Sequence, residues 1–210
     1  MVKRADLKGD RFYKSAKELG YRSRSAFKLL QINTKFGLIR AGDVVLDLGA
    51  APGGWTQVAY GLVGDNGQVL SVDLQPMENI AGIEILKSDI TKEQETLTAI
   101  KTVLKLKGRA FVDVVISDLS PQLSGARDYD QFRSSVLSTS ALNIASALLK
   151  NNGNFAAKIF QGAYYNEFYK CVKAKFRYTR AHSPAASRKG SAEIYVIGKG
   201  FTVRKRKDDF

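Results

Sequence analysis

The residues best suited to chemistry surround the glycine-rich segment LDLGAAPGGW, at positions 46–55. An apolar run precedes its turn and a helical pattern follows it, an arrangement typical of a nucleotide-binding cradle. A dinucleotide site needs a glycine where Ala51 stands, and a phosphate-binding P-loop needs Lys and Ser/Thr after Gly54, where Trp55 stands. The spacing therefore argues against a pyrophosphate or triphosphate ligand at Gly49 and its neighbours.

Three aspartates follow predicted strands: Asp73 after VLSV, Asp89 after EILKS and Asp118 after DVVIS. Ligands of open α/β sheets bind at the carboxyl ends of the strands. Carboxylates there repel phosphates and attract a cation, so we predict S-adenosyl-L-methionine, a phosphate-free nucleoside with a positive sulfonium. Asp73 is expected to accept hydrogen bonds from the ribose hydroxyls, and Asp89 a hydrogen bond from the adenine amino group. Each aspartate could instead cap the N-terminus of the following helix.

The residue types around the fourth strand limit which kind of atom could receive a methyl group. Base amino groups are often methylated at an Asp/Asn-Pro-Pro-aromatic sequence, whereas residues 118–121 read DLSP. Cytosine C5 needs a nearby cysteine, but Cys171 lies in a later helical pattern. A hydroxyl acceptor remains, and it must lose its proton to a base. Lysine is the candidate base, because the chain contains a single histidine, His182, and burial or a neighbouring cation makes a lysine more acidic.

Alternating strands and helices are predicted to position these residues. A helix is predicted over 23–34, closed by Gly37, and another over 164–176. Near-continuous apolar strands between helices favour an α/β, Rossmann-like fold with a parallel sheet and helices on both faces. The final strand is predicted to return antiparallel, because only a Pro/Ser/Gly loop separates it from residues 178–181. The strands are predicted at 44–48, 68–72, 83–86, 112–116, 155–160 and 194–197.

The length of 210 residues predicts one domain. Within it we expect a basic N-terminal extension with a helix at 1–40, a catalytic core at 41–203 and a tail at 204–210. Neither a membrane-spanning apolar stretch nor a signal peptide is recognisable, so a cytoplasmic location is expected. A lone cysteine and a lone histidine form no metal-ligand cluster, so no metal is predicted.

The net charge of +13 is unevenly distributed along the chain. Residues 1–40 hold 11 Lys/Arg and 3 Asp/Glu (+8), residues 150–210 hold 14 and 4 (+10), and residues 41–149 hold 8 and 13 (−5). Such basic flanks are typical of a protein with a polyanionic partner. Charge that serves solubility alone is the other interpretation.

Six segments resemble, in order, the FtsJ/RrmJ family of RNA 2'-O-methyltransferases. They are DRFYKSAKELGYRSRSAFKL, LDLGAAPGGW, VDLQPM, SDLSPQLSG, KIFQG and SRKGSAEIYVI. The resemblance implies a seven-stranded sheet with the last strand antiparallel. It also implies a catalytic tetrad at Lys28, Asp118, Lys158 and Glu193. Cofactor contacts are implied at Gly53, Trp55, Asp73, Asp89 and Asp118, and the turn glycine Gly49 joins this predicted set. Gln122 departs from the Asn that the family more often has after the proline.

The resemblance and the charge together predict an enzyme that methylates a uridine of large-subunit ribosomal RNA, acting as a monomer. Lys158 would be the base, with Lys28 favouring its uncharged form by like-charge repulsion and Asp118 and Glu193 orienting it. Methylation of a transfer RNA anticodon loop, or a non-catalytic role in ribosome assembly, are the alternatives; a nicotinamide-dependent oxidoreductase is disfavoured by Ala51. RNA contacts are predicted at Lys3, Arg4, Lys8, Arg11, Arg22, Arg24 and Arg188.

Overall fold

The computed structural model describes residues 11–188 and 190–202. These residues form six helices and seven strands, joined in the alternating order that the apolar periodicity predicts. The helices are α1 (Arg11–Glu18), α2 (Ala26–Phe36), α3 (Gly54–Val63), α4 (Glu93–Leu106), α5 (Arg127–Leu148) and α6 (Tyr165–Lys173). The strands are β1 (Val44–Leu48), β2 (Gln68–Asp73), β3 (Glu84–Lys87), β4 (Val112–Ser117), β5 (Leu149–Phe160), β6 (Phe176–His182) and β7 (Glu193–Phe201).

The strands form one sheet in the order β3-β2-β1-β4-β5-β7-β6. Neighbours from β3 to β5 are parallel, while β7 is antiparallel to both β5 and β6. The antiparallel return of the last strand is therefore confirmed. Strand order reverses between β1 and β4, so the carboxyl ends of these two strands flank the crevice where ligands of such sheets bind.

Two apolar clusters cover the two faces of the sheet, which confirms the prediction of helices on both sides. Helices α2 and α3 pack on one face through residues such as Leu29 and Val58. Helices α4, α5 and α6 pack on the other through residues such as Ile100, Ile144 and Phe168. All five residues of β1 are buried, because a central parallel strand with helices on both faces has no solvent-exposed side.

Several element boundaries differ from those predicted. Helix α2 begins at Ala26 and not at residue 23. Residues 23–25 lie in tight turns, the last of which is closed by the amide of Lys28 donating to the carbonyl of Ser25 (2.9 Å). It ends, as predicted, before Gly37, whose φ of 57° is left-handed. Helix α6 ends at Lys173, because Phe176 already pairs with Phe201 in the sheet. Strand β5 begins at 149, six residues earlier than predicted.

Over the part of the chain that the structure describes, no helix is both long and apolar enough to cross a membrane. No cluster of three or more His, Cys, Asp or Glu side chains among residues 11–188 and 190–202 has an arrangement that could hold a metal ion.

Candidate active site

Lys158 lies near the carboxyl end of β5 and is almost entirely buried. Its Nζ lies 3.0 Å from Asp118 Oδ1 and donates to the Asp118 carbonyl oxygen at 2.9 Å. Asp118 directly follows β4, the parallel neighbour of β5, so the pairing of the two strands brings the two side chains together. A lysine buried this deeply needs such a partner, because an unpaired buried charge is strongly destabilising.

A second buried ion pair lies on the same face of the sheet. Lys28 in α2 contacts Glu193 at the start of β7, with 2.7 Å between Nζ and Oε1. Tyr195, two residues along β7, pairs across the sheet with Lys158 and donates its hydroxyl to Asp118 Oδ1 at 2.6 Å. The Lys28 ammonium also lies 5.7 Å from the centre of the Tyr195 ring. The structure therefore brings all four members of the predicted tetrad around one tyrosine.

The charges in this cluster determine how its acids ionise. Burial by itself raises the pKa of Asp118, but the ammonium groups of Lys158 and Lys28 and the hydrogen bonds from Tyr195 and Lys158 outweigh burial, and the pKa is lowered. Burial, together with the nearby Asp118 and Glu193 carboxylates, raises the pKa of Tyr195 well above its ordinary value. Asp118 is therefore a carboxylate at neutral pH and Tyr195 a neutral hydrogen-bond donor.

A cavity of about 570 Å³ opens beside this cluster, at the carboxyl ends of β1, β2 and β4. Its volume is in the range of small-molecule and cofactor sites. Three residues of the predicted cofactor set line it, namely Gly49, Asp73 and Asp89. Residues that sequence reasoning did not assign also line it, including Leu119, Gln122 and Arg133.

The aspartates of the cavity are anchored and still have free acceptor capacity. Asp73 accepts from the amide of Ala51 at 2.9 Å and from that of Gln75 at 2.7 Å, one bond to each oxygen. Asp89 uses one oxygen, Oδ1, to accept both the amide and the hydroxyl of Thr91. A carboxylate has about four lone-pair sites, so each of these aspartates can accept further hydrogen bonds from a ligand.

Gly49 is a position in the turn where a side chain cannot be accommodated. Its φ is +80°, and a Cβ there would lie 2.3 Å from Cγ of Leu119. This close contact joins the ends of β1 and β4 and leaves the backbone of the turn exposed to the cavity. Glycine is therefore needed both for its conformation and for the close approach.

Three residues of the predicted cofactor set lie outside the lining of this cavity: Asp118, which belongs to the cluster around Tyr195, and Trp55 and Gly53. Trp55 is buried in α3, stacks on Tyr195 with ring centres 5.5 Å apart, and donates its indole N–H to the Ser25 carbonyl at 2.9 Å. Gly53, with φ of 113°, precedes α3 and lies against the Arg22 side chain. In this structure both residues connect the turn to the segment that leads into α2.

Residues 21–201 match one family model, which is described as FtsJ-like methyltransferase. The chain belongs to the FtsJ-like methyltransferase family. The methyltransferase fold predicted from the sequence is thereby confirmed.

Relatives are similar over nearly the whole chain. One from Methanosarcina mazei, named ribosomal RNA large subunit methyltransferase E, is 51% identical over 95% of this chain and 73% of its own length. One from Methanothrix thermoacetophila with the same name is 54% identical over 90% of this chain and 72% of its own length. A solved Plasmodium falciparum structure described as a ribosomal RNA methyltransferase shares the fold, with a TM-score of 0.79, 23% identity, and coverage of 88% of this chain and all of its own.

The predicted RNA contacts of this family member occupy different environments. Arg11 and Arg188 are exposed. Arg24 donates to the Ala186 carbonyl and lies 5.9 Å from the centre of the Phe12 ring. Arg22 donates to the carbonyls of Pro52, Glu78 and Asn79 at 3.3, 2.7 and 2.9 Å. Lys3, Arg4 and Lys8 lie outside the described residues.

Two buried polar residues near the site, Tyr195 and Asp47, were also not assigned from the sequence. Tyr195 could have been suggested by its spacing, because residues two apart on a strand share a face and Glu193 was already a candidate. Asp47 could have been suggested by its type, since a carboxylate inside an apolar strand is rare. It is fully buried, accepts the Thr56 hydroxyl at 2.7 Å, and has no described donor to its other oxygen. Burial, with smaller effects of Asp118 and Asp73, raises its pKa to about 7.

Proposed function

We propose that this protein transfers a methyl group from S-adenosyl-L-methionine to the 2'-hydroxyl of a uridine in large-subunit ribosomal RNA, acting as a monomer in the cytoplasm. The observation that carries the proposal is the buried Lys158–Asp118 pair beside the cavity. Binding and assembly functions have no need of an amine held by two acceptors at a strand end. The names of the relatives supply the class of RNA.

The cavity fits the cofactor in its chemistry as well as its size. Its Asp73 and Asp89 carboxylates suit the hydroxyls of a ribose and the amino group of an adenine, and the nearby Asp118 carboxylate favours a positively charged ligand. Gly49, Asp73 and Asp89 would hold the cofactor. When bound, it supplies an electrophilic methyl group on a positive sulfur. The chain's own residues must then hold the acceptor hydroxyl and remove its proton.

Lys158 is the proposed general base. A neutral amine has two N–H donors and one lone pair. Asp118 offers two acceptors, its carboxylate at 3.0 Å and its carbonyl at 2.9 Å, so both donors are satisfied and the lone pair stays free. That lone pair would accept the proton of the 2'-hydroxyl, which makes the oxygen a stronger nucleophile. Asp118 then stabilises the ammonium that forms.

Lys28, Glu193 and Tyr195 support this chemistry without taking the proton. The Lys28–Glu193 ion pair places the Lys28 ammonium near Asp118, where it helps to keep the Asp118 carboxyl ionised. Tyr195 donates to the same Asp118 oxygen that faces Lys158 and so sets the direction of the carboxylate. The three residues position the base and give the ribose a polar, water-poor environment.

RNA is the proposed substrate because the reacting hydroxyl is absent from DNA. The net charge of +13 favours binding of the phosphate backbone. Among the described residues, the proposed RNA contacts are Arg11, Arg24 and Arg188. Lys3, Arg4 and Lys8, which lie outside the described residues, are also proposed. The transfer RNA alternative predicts the same chemistry on a different RNA, so the substrate has to be tested separately from the reaction.

The proposal is tested by incubating the protein with methyl-labelled S-adenosylmethionine and one of three RNAs: purified ribosomal RNA, intact large ribosomal subunits or transfer RNA. Digestion to nucleosides and mass spectrometry then identifies the methylated atom. Labelled 2'-O-methyluridine from a ribosomal sample is the expected result. Label on transfer RNA alone would favour the alternative substrate, and the absence of label from every RNA, with cofactor binding intact, would favour the non-catalytic role.

The role of Lys158 predicts a specific loss of rate. Lys158→Ala should slow single-turnover methylation by roughly 10²- to 10⁴-fold, the usual contribution of a general base. Cofactor affinity, measured by calorimetry, should stay close to that of the wild type, because Lys158 does not line the cavity. Lys150→Ala is the matched control, since Lys150 lies on the same strand at its opposite end. Equal rates for the two variants would show that another group removes the proton.

A further inference from the structure

In the first turns of α5, polar side chains are buried and aromatic side chains are exposed to solvent. Asp130, Gln131 and Ser134 are buried, whereas Tyr129 and Phe132 on the same turns are about half exposed. An ordinary surface helix buries its apolar face and exposes its polar one. Exposed aromatic side chains grouped in this way are typical of a binding surface.

The buried polar residues of α5 hold the two loops that border the active site. Asp130 accepts the amide of Ser124 at 2.9 Å and its hydroxyl at 2.8 Å, which anchors the loop after Asp118. Ser134 accepts the amide of Phe160 at 3.0 Å, and Gln131 accepts that of Ala163 at 3.2 Å, which anchors the segment after Lys158. The polar side chains of α5 are therefore buried because they hydrogen-bond to the two loops that border the active site.

The exposed side of the same turns carries a group of aromatic side chains. Phe132 and Tyr164 meet edge to face with ring centres 5.6 Å apart, and Tyr164 lies only six residues beyond Lys158. The Arg133 guanidinium lies 5.8 Å from the centre of the Tyr129 ring, and Arg133 also lines the candidate cofactor cavity. We call Tyr129, Phe132 and Tyr164 the aromatic platform. It lies on the carboxyl-end edge of the sheet, as the catalytic cluster does.

A groove of about 470 Å³ continues from the platform between α5 and α6. Phe132, Val136 and Tyr164 line it, together with the carboxylates of Glu93 and Glu167. Carboxylates repel phosphates and accept hydrogen bonds from the amino groups of bases. Aromatic walls with acidic groups among them therefore suit a flat, uncharged base. The sugar–phosphate backbone is better suited to the side of the platform where Arg133 lies next to Tyr129.

We propose that the aromatic platform stacks unpaired nucleobases of the RNA substrate next to the nucleotide whose ribose faces Lys158. The inference rests on the proposed function, because it takes the RNA to be the substrate of that site. Single-stranded RNA is held in this way by aromatic side chains, since every base has a flat face that stacks on a ring. The platform selects RNA whose bases near the methylated ribose are unstacked.

The test compares Phe132→Ala and Tyr164→Ala with Phe111→Ala. Phe111 is 56% exposed and directly precedes β4, so it is an exposed aromatic at the amino-terminal end of that strand, opposite the active site. RNA affinity is measured with purified ribosomal RNA at saturating S-adenosylhomocysteine. Each platform variant should bind RNA about tenfold more weakly, as expected when one stacked base is lost. Phe111→Ala should bind as the wild type does.

Three further readouts separate stacking from damage to the fold. The slope of log affinity against log salt should be unchanged, because stacking releases no counterions. Cofactor affinity should be unchanged, and Phe132→Tyr and Tyr164→Phe should restore RNA binding because each retains a ring. Affinities equal to that of Phe111→Ala would overturn the proposal. A loss seen only with intact subunits, and not with purified RNA, would also overturn it, because the platform would then contact a ribosomal protein.

These outcomes are distinct from those that test the proposed function. If the wild type methylates ribosomal RNA and the platform variants behave as the control does, the platform fails and the function stands. If the wild type binds RNA through Phe132 and Tyr164 but methylates none, the platform stands and the function fails.

Discussion

Replacing Asp47 with Asn should change how the stability of the protein depends on pH. The buried carboxyl of Asp47 receives one hydrogen bond, from Thr56 at 2.7 Å, and that hydroxyl is also shared with Ser71 at 2.9 Å. No donor among the described residues reaches its other oxygen. An amide has the same shape, can still accept from Thr56, and cannot ionise. Asp47→Asn therefore removes the charge with little change in packing.

The size of the effect follows from the pKa of Asp47, which burial raises from 3.8 to about 7. A raised folded-state pKa means that the folded protein holds this proton more tightly than the unfolded chain. The stability it contributes is present below about pH 4 and is lost as the pH rises towards about 7. At about 1.4 kcal/mol per pKa unit, the loss between pH 5 and pH 8 is roughly 2.5 kcal/mol. For a chain of this length, that is about 5–10 °C in Tm.

The assay is thermal unfolding of the wild type and Asp47→Asn at pH 5 and pH 8, at constant ionic strength. Every other group titrates in both proteins, so the difference between them isolates Asp47. The Tm of the variant relative to that of the wild type should be higher at pH 8 than at pH 5 by the amount given above. Asp65→Asn, in the exposed turn before β2, is the control for replacing an aspartate by asparagine at a solvent-exposed position. A Tm difference that is the same at both pH values would contradict a raised pKa for Asp47 and show that its carboxylate is stabilised by solvent or by a group not described.

Two further predictions concern the turn between β1 and α3. Arg22→Gln should lower Tm, because the carbonyl groups of Pro52, Glu78 and Asn79 lose a charged donor, and a hydrogen bond to a charged group is worth about 1.5–3 kcal/mol. Its RNA salt slope should match that of the wild type; a slope reduced by about one, with Tm unchanged, would instead show that Arg22 contacts a phosphate. Gly49→Ala should lower both Tm and cofactor affinity, because its Cβ meets Leu119. Adding Leu119→Ala should restore part of the Tm but not all of it, since the left-handed φ remains, and full recovery would show that the clash alone matters.

Much of the fold could be predicted because its signals are local. The apolar run at 44–48, the glycines after it and the aspartates at the following strand ends are short-range patterns, and they placed Asp73, Asp89 and Asp118 at one edge of the sheet. The start of α2 was predicted wrongly: residues 23–25 form turns and not the first turn of the helix, and Ser23 packs against Gly54. The tetrad itself came from resemblance, since no local pattern links residues so far apart.

Local sequence patterns are enough to predict the alternation of strands and helices, the antiparallel last strand, the basic flanks and the types of residue available for chemistry. Which of these residues meet depends on tertiary packing: Lys28 pairs with Glu193, and Arg22 lies among backbone carbonyls. The same is true of the aromatic platform, where the loops take the polar side of α5 and leave Phe132 exposed. The reason is physical, because periodicity reports contacts within one element, whereas burial and ion pairing depend on the elements that pack against it.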